Sequence, residues 1–189
     1  MYLLLLCSLT VAAIAIDRFL LYRRASQGAR ALEADVAAAL RKKKLDEIAP
    51  AVKGKDNMVA HLVQSAVDAR AAGEDVPMTL EAAYGEAAML LRARLNYLST
   101  IVTLAPLLGL LGTISGMIQS FSVFNLQAGQ PMAITGGIGE ALIATATGLL
   151  VAIFALVVHT YYAQRMDTML TLLEKTMNTL LAGFAANDG

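Results

Sequence analysis

One acidic side chain stands alone in the longest apolar part of this sequence. Between Leu95 and Gln164, Glu140 is the only Asp, Glu, Lys or Arg. A helix needs about 20 mainly apolar residues to cross about 30 Å of hydrocarbon, so this stretch can supply two crossings. A carboxylate at that depth costs a few kcal/mol and usually marks an ion or proton path. The alternative is a protonated or hydrogen-bonded glutamate that holds helices together.

The composition narrows the class of protein. Hydrophobic residues make up 57% of the 189 residues and charged residues only 16%, which is too apolar for an ordinary soluble domain. The net charge is zero, so nothing points to nucleic acid as a partner. Cys7 is the only cysteine, which excludes a disulfide framework and a cysteine metal cluster. No catalytic, metal-binding or phosphate-binding constellation is present, so we expect neither an enzyme nor a cofactor.

The fold class predicted is an all-α integral membrane protein with three transmembrane helices. The first helix is marginal, because the sixteen residues before Asp17 reach only about 24 Å at 1.5 Å per residue. It therefore needs Phe19 to Tyr22, local thinning of the bilayer, or residues upstream of Met1. A cleaved signal peptide is disfavoured because no basic residue precedes the apolar core. The predicted transmembrane helices cover 1–22, 97–124 and 132–162.

Basic residues set the predicted orientation. Arg18 and the run from Arg41 to Lys44 follow the first apolar segment, and the positive-inside rule places them in the cytoplasm. The chain is therefore expected to run N-out and C-in. The basic run is best placed near anionic lipid headgroups. The remaining predicted regions are a cytoplasmic helical region at 23–96, a periplasmic loop at 125–131 and a cytoplasmic C-terminal helix at 163–189.

The cytoplasmic region has helical periodicity. Residues 33–45 and 56–72 each predict a helix, with Gly73 and Pro77 as breaks after the second. A third helix starts near Met78 and, with no breaker before Pro106, is predicted to continue into the second span. The third span is predicted to continue into the cytoplasm as well. Its stripe of apolar residues is expected to be core or subunit contact: Met166, Met169, Leu170, Leu173, Met177, Leu180 and Leu181.

Small residues predict close helix packing within the two main spans. Gly109, Gly112 and Gly116 form a smooth stripe that admits a neighbouring helix, and we assign Gly148 to the same packing role. Pro106 lacks a backbone N–H, so it is expected to bend the second span.

Hydroxyl groups accompany Glu140. On an ideal helix Thr147 shares the face of Glu140, whereas Thr145 lies about 140° away and points to another wall. Thr113 adds a hydroxyl from the second span. A titratable group with oxygen ligands is what a path for H⁺ or Na⁺ requires. The alternative for each threonine is a hydrogen bond back to a carbonyl of its own helix.

These motifs together resemble the ExbB/TolQ proton-channel family, with MotA-type stators as distant relatives. The resemblance lies in the segment 104–121, in Gly137 to Leu149 (GIGEALIATATGL), and in Asp17-Arg18-Phe19 after the first span. It implies that Thr113 and Thr145 line a lumen and that Glu140 is the buried glutamate. Thr147 is assigned only from its helical face. The sequence departs from the family at Phe154, where proline is usual, and at His159-Thr160, where Tyr-Asn is usual.

The resemblance also implies an assembly. The expected protein is a pentameric ring in the bacterial inner membrane, enclosing single-span partners of the ExbD/TolR type. Proton motive force would then drive work on a TonB- or TolA-like protein. We expect H⁺ as the coupling ion, with Na⁺ as the alternative, because only one hydroxyl of the third span shares the face of Glu140. A non-conducting scaffold of the same fold, or a Na⁺-driven stator-like motor, is the alternative function.

Overall fold

The computed structural model describes residues 2–126 and 131–188, and the side chains of all of these except 45, 123–126, 131–135 and 188. The predicted loop at 125–131 lies largely outside the described residues. Within them the chain is helical apart from short turns, and the α-helices are α1 (Tyr2–Ser26), α2 (Ala29–Arg41), α3 (Ile48–Val52), α4 (Met58–Ala72), α5 (Val76–Arg92), α6 (Leu95–Leu126) and α7 (Pro131–Asp188).

Three helices in the described residues, α1, α6 and α7, are long and apolar enough to cross a membrane. The prediction of an all-α protein with three such helices is confirmed. The N-out, C-in orientation stays a prediction. The chain divides into two compact units: an apolar unit of residues 1–17 and 94–162, and a polar unit of residues 18–93 and 163–189.

In the apolar unit, α1 contributes one narrow buried face. Leu4, Val11 and Ile14 are buried, whereas Leu5 and Leu9 are exposed. Such a helix suits lipid on its outer side, because exposed leucines need no partner there. Two polar contacts of the unit hold the middle of α1: the Tyr162 hydroxyl donates to the Ala15 carbonyl at 2.8 Å, and the Arg94 guanidinium pairs with the Asp17 carboxylate at 2.5 Å.

The polar unit has its own hydrophobic core. The fully buried large side chains of this core come from five helices: Leu32, Val36, Ile48, Val59, Val63, Leu80, Leu91, Leu173 and Leu180. The predicted apolar stripe of α7 supplies part of it, since Met169, Leu170, Leu173 and Leu180 are all buried. The core interpretation of that stripe is confirmed.

Helix ends in the polar unit follow the sequence signals. The Asn57 side chain accepts a hydrogen bond from the Ala60 amide at 2.9 Å and caps α4, and Asp75 accepts one from the Met78 amide at 3.0 Å and caps α5. Both are standard N-cap residues. Gly73 ends α4 in the left-handed conformation, which glycine adopts without a Cβ penalty. Pro77 lies in the first turn of α5, where its missing N–H is not needed.

The prediction of one continuous helix from Met78 into the second span is wrong. Helix α5 ends at Arg92 and α6 begins at Leu95, with Arg94 at φ +66° between them. The last carbonyls of a helix lack partners within it. Here two side chains of α1 are the missing hydrogen-bond partners. Arg18 donates to the Leu90 carbonyl and the Tyr22 hydroxyl donates to the Leu91 carbonyl, each at 3.0 Å. Tertiary contacts therefore end a helix that has no local breaker. The third span, by contrast, continues unbroken to Asp188 as predicted.

Candidate ion path

The described part of the apolar unit brings α6 and α7 together at glycines. A methyl group at Gly109 would lie 3.1 Å from the Ala144 carbonyl oxygen and 3.1 Å from the Thr145 Cα. At Gly148 it would lie 2.6 Å from the Ala105 carbonyl oxygen and 2.9 Å from the Gly109 Cα. Because these neighbours are backbone atoms, no side chain fits at either position. The two helices are in backbone contact here.

The same contact extends along both helices. A methyl group at Gly112 would lie 2.7 Å from the Ala144 Cβ, and one at Gly116 would lie 3.0 Å from the Ala141 Cβ. We call this contact the glycine seam; it comprises Gly109, Gly112 and Gly116 of α6 and Gly137, Ala141, Ala144 and Gly148 of α7. Small residues at such spacing let helix backbones approach closely.

Ser120 extends the seam beyond the residues identified from the sequence. It is 4% exposed, its hydroxyl donates to the Gly116 carbonyl at 2.7 Å, and it occupies the space where Gly137 would carry a side chain. The sequence does contain a signal for this packing role, because Ser120 lies four residues after Gly116 and is also small. In a span its hydroxyl is satisfied by its own helix.

Pro106 lies inside α6, which remains one helix from Leu95 to Leu126. The proline cannot donate the backbone hydrogen bond that would normally join it to the preceding turn. The predicted bend at this position stays a prediction. The adjacent residue, Ala105, is buried, and its carbonyl oxygen faces Gly148 across the seam.

Thr145 crosses the seam. Its hydroxyl donates to the Gly109 carbonyl of the other helix at 3.1 Å. Its side chain is only partly buried. Thr145 therefore points to α6, as expected for a residue on a different wall from Glu140.

Thr113 and Thr147 bond within their own helices. The Thr113 hydroxyl donates to the Leu110 carbonyl and the Thr147 hydroxyl to the Ile143 carbonyl, each at 2.7 Å. Such hydrogen bonds to a carbonyl of the same helix are the alternative that the sequence leaves open for each threonine. Both side chains are partly exposed on this single copy, so their oxygens remain within reach of a ligand outside the chain.

Glu140 lies on the outer surface of the apolar unit, beside the seam. The next residue, Ala141, and Ala144 one turn on are buried against α6, but Glu140 itself is exposed. Its neighbours on this face of the helix are Ile143, which is apolar and 57% exposed, and Thr147 one turn beyond. Among the described residues Glu140 has no hydrogen bond or ion pair. A carboxylate on an apolar surface at membrane depth requires a polar cavity or a partner to cover it.

Potential metal-ligating side chains lie apart from one another in the described ranges, 2–126 and 131–188. No group of three or more His, Cys, Asp or Glu side chains there is close enough to hold a metal ion. The site is therefore one carboxylate, three hydroxyls and a tightly packed helix pair.

Comparison with protein families gives a match that covers the candidate path. The profile of the MotA/TolQ/ExbB proton channel family matches residues 51–175, more than half of the chain and the whole segment that holds the seam, the three threonines and Glu140. The chain belongs to the MotA/TolQ/ExbB proton channel family. Its membership confirms the family identified from the sequence motifs.

Individual proteins with similar sequences bear ExbB or TolQ names, in agreement with this family. An ExbB-like biopolymer transport protein of Synechocystis sp. is 50% identical over 78 residues, which are 37% of this chain and 31% of that protein. The Tol-Pal system protein TolQ of Pseudomonas aeruginosa is 33% identical over 108 residues, 57% of this chain and 47% of TolQ. The biopolymer transport protein ExbB of Salmonella typhimurium is 38% identical over 74 residues, 39% of this chain and 30% of ExbB. The matches thus span less than half the length of these curated relatives.

Proposed function

We propose that this protein is the ring-forming subunit of a proton-channel motor in the bacterial inner membrane. Together with a single-span partner of the ExbD/TolR type, it converts proton motive force into mechanical work on a TonB- or TolA-like protein. The observation that carries the proposal is the position of Glu140, an uncompensated carboxylate on the apolar surface of a membrane unit.

The packing of one copy supports a ring. The glycine seam brings the backbones of α6 and α7 into contact, so an ion has no route between these two helices. The path must then lie beside the seam, where Glu140 is exposed. Several copies arranged around a lumen would cover Glu140 with polar surroundings and remove it from lipid. A pentamer around the transmembrane segments of the partner is the arrangement we propose.

The chemistry favours H⁺ over Na⁺. A sodium ion needs several oxygen ligands that converge on one point, whereas proton transfer needs only a titratable group in contact with water. In one copy the hydroxyls of Thr113, Thr145 and Thr147 all donate hydrogen bonds to backbone carbonyls. Only Thr147 shares the helical face of Glu140. We therefore assign proton exchange to Glu140. The threonines present oxygens along the path.

The relatives supply the choice of partner class. Those relatives bear the names biopolymer transport protein ExbB and Tol-Pal system protein TolQ. On that basis we place this chain in a system of the same general kind, in which a ring drives a protein that reaches across the periplasm. Transport or envelope integrity is the process served.

The test is proton flux. The protein is co-expressed with the ExbD/TolR-type protein of the same genome and reconstituted into liposomes. A potassium gradient with valinomycin sets the membrane potential, and pyranine inside the liposomes reports pH. Flux is expected with the wild-type complex, and Glu140→Gln is expected to reduce it to the level of empty liposomes.

Asp167→Asn is the matched control, because it removes the same charge from an exposed position of the same helix outside the apolar segment. It should conduct like the wild type. Wild-type flux in Glu140→Gln would overturn the assignment of Glu140, whereas no flux from the wild-type complex itself would leave the non-conducting scaffold. Flux that depends on a Na⁺ gradient and survives a protonophore would replace H⁺ with Na⁺ as the coupling ion.

A further inference from the structure

A groove lies between α2 and the C-terminal part of α7, entirely within the polar unit. It has a volume of about 1130 Å³, and alanines of both helices form much of its floor, among them Ala34, Ala38 and Ala182. Such a floor accepts the close approach of another helix. Its α7 wall runs from Thr171 to Asn187, about 25 Å at 1.5 Å per residue.

The rim of the groove is basic. Arg41, Lys42 and Lys43 line one end, at the C-terminus of α2. There the backbone turns through the left-handed conformation at Lys43, with φ +54° and its amide bonded to the Leu40 carbonyl at 3.1 Å. The turn presents three successive cations. Lys175 also lines the groove, but it pairs with Glu33 at 3.0 Å, which leaves Glu174 as the only other acidic side chain on the lining.

Helix α5 has the complementary surface. Met78, Ala82, Gly85 and Met89 fall on one face of the helix, and Met78 and Met89 are 72% and 71% exposed. No atom lies within 4 Å of where a side chain at Gly85 would begin, so this face has no partner within the described chain. We call it the α5 outer face.

Acidic residues flank that face. Glu81 lies on one side of it and Glu86 on the other, both exposed, and Arg92 is the only basic residue of α5. The helix has 17 residues, about 25 Å, which equals the length of the α7 wall of the groove. Helix α5 has acidic residues beside an apolar face, and the groove has a basic rim, so the two surfaces are complementary in charge. They are equal in length, and the small alanines of the groove floor let the helix approach closely.

We propose that the α5 outer face of one copy docks into the α2–α7 groove of the next copy. The two surfaces share no residue, so the contact is head-to-tail, and repetition of such a contact closes a ring when the rotation permits. The proposal rests on the ring of the proposed function and names the surfaces that hold it together outside the membrane. A second copy is the occupant because its own α5 supplies the complementary charge and length.

The test uses single-cysteine variants in a Cys7→Ser background. One differently tagged copy carries Gly85→Cys on α5 and the other carries Ala182→Cys in the groove, so a disulfide between the two tags must join two copies. Both positions tolerate a side chain: the space at Gly85 is open and Ala182 is exposed. With the partner co-expressed, mild oxidation is expected to join the two tags in the membrane.

Asp68→Cys is the matched control in place of Gly85→Cys, because it is exposed on α4 and belongs to neither surface. It should give no disulfide with Ala182→Cys. Lys42→Glu with Lys43→Glu in the groove should lower the yield from Gly85→Cys. Adding Glu81→Lys with Glu86→Lys to the other copy should restore it.

Native mass spectrometry of the same samples separates this proposal from the proposed function. An oligomer with no disulfide between Gly85→Cys and Ala182→Cys overturns the interface and leaves the ring intact. The interface is equally overturned if the co-expressed partner, and not the other copy, is cross-linked to Ala182→Cys. Only monomers, with the partner present, would overturn the ring itself.

Discussion

The Thr145 hydroxyl of α7 donates to the Gly109 carbonyl of α6 at 3.1 Å, at a point where the two helices touch backbone to backbone. A single side chain thus joins the two helices of the candidate path. Thr145 therefore has a structural role within one copy as well as the lumen-lining role that the family resemblance implies.

Replacement of Thr145 by valine keeps its volume and removes the hydroxyl. Loss of the hydrogen bond is expected to lower the free energy of unfolding by about 1 kcal/mol and to reduce proton flux. Thr145→Ser keeps the hydroxyl and should restore flux. Thermal unfolding in detergent and the pyranine assay measure the two effects. Wild-type flux in Thr145→Val would contradict the role of Thr145 in the path.

Thr113→Val tests whether Thr113 contributes to the ion path without contributing to the packing between helices. Its hydroxyl bonds only to the Leu110 carbonyl of its own helix, so its loss removes no contact between helices. We expect the unfolding temperature and the oligomeric state to stay at wild-type values while proton flux falls. Equal flux in the variant and the wild type would show that Thr113 is not part of the path.

Gly148→Ala tests the seam. The added methyl group would lie 2.6 Å from the Ala105 carbonyl oxygen, and neither backbone can give way easily. The cost is expected to be about 1–3 kcal/mol, as for other overpacked sites. Gly139→Ala in the same helix is the control, because nothing lies within 4 Å of its Cβ position. It should leave stability unchanged or raise it by about 0.5–1 kcal/mol. Equal unfolding temperatures for the two variants would exclude a tight seam at Gly148.

Arg94 tests the break between α5 and α6. Its φ of +66° disfavours any residue with a Cβ by about 1 kcal/mol, and its guanidinium pairs with Asp17. Arg94→Gly and Arg94→Ala both lose the ion pair, but only the alanine variant retains the backbone strain. We therefore expect Arg94→Gly to be the more stable of the two by about 1 kcal/mol in thermal unfolding. The reverse order would mean that α5 and α6 can join into one helix.

Patterns within one helix can be predicted from the sequence. The spacing of Gly109, Gly112 and Gly116 indicated a surface for a close neighbour, and the α7 stripe around Leu173 indicated a core. Both patterns depend on the helical period alone. The breaks at Gly73 and Pro77 are predicted from residue types with strong local preferences.

Features set by contacts distant in sequence were not predicted. Ala93 and Arg94 favour helix, yet the chain turns there because Arg18 and Tyr22 bind the last carbonyls of α5 and Asp17 binds Arg94. The bond from Thr145 to Gly109 joins residues 36 positions apart. No local pattern encodes such pairs.

The glycine seam also bears on what happens before assembly. Because the backbones of α6 and α7 are in contact along the described seam, a single copy leaves no path for an ion between these two helices. We therefore expect that excess copies of this chain, made before their partners arrive, leave the ion gradient of the cell intact. The close backbone contact would then prevent leakage between α6 and α7 before the ring forms.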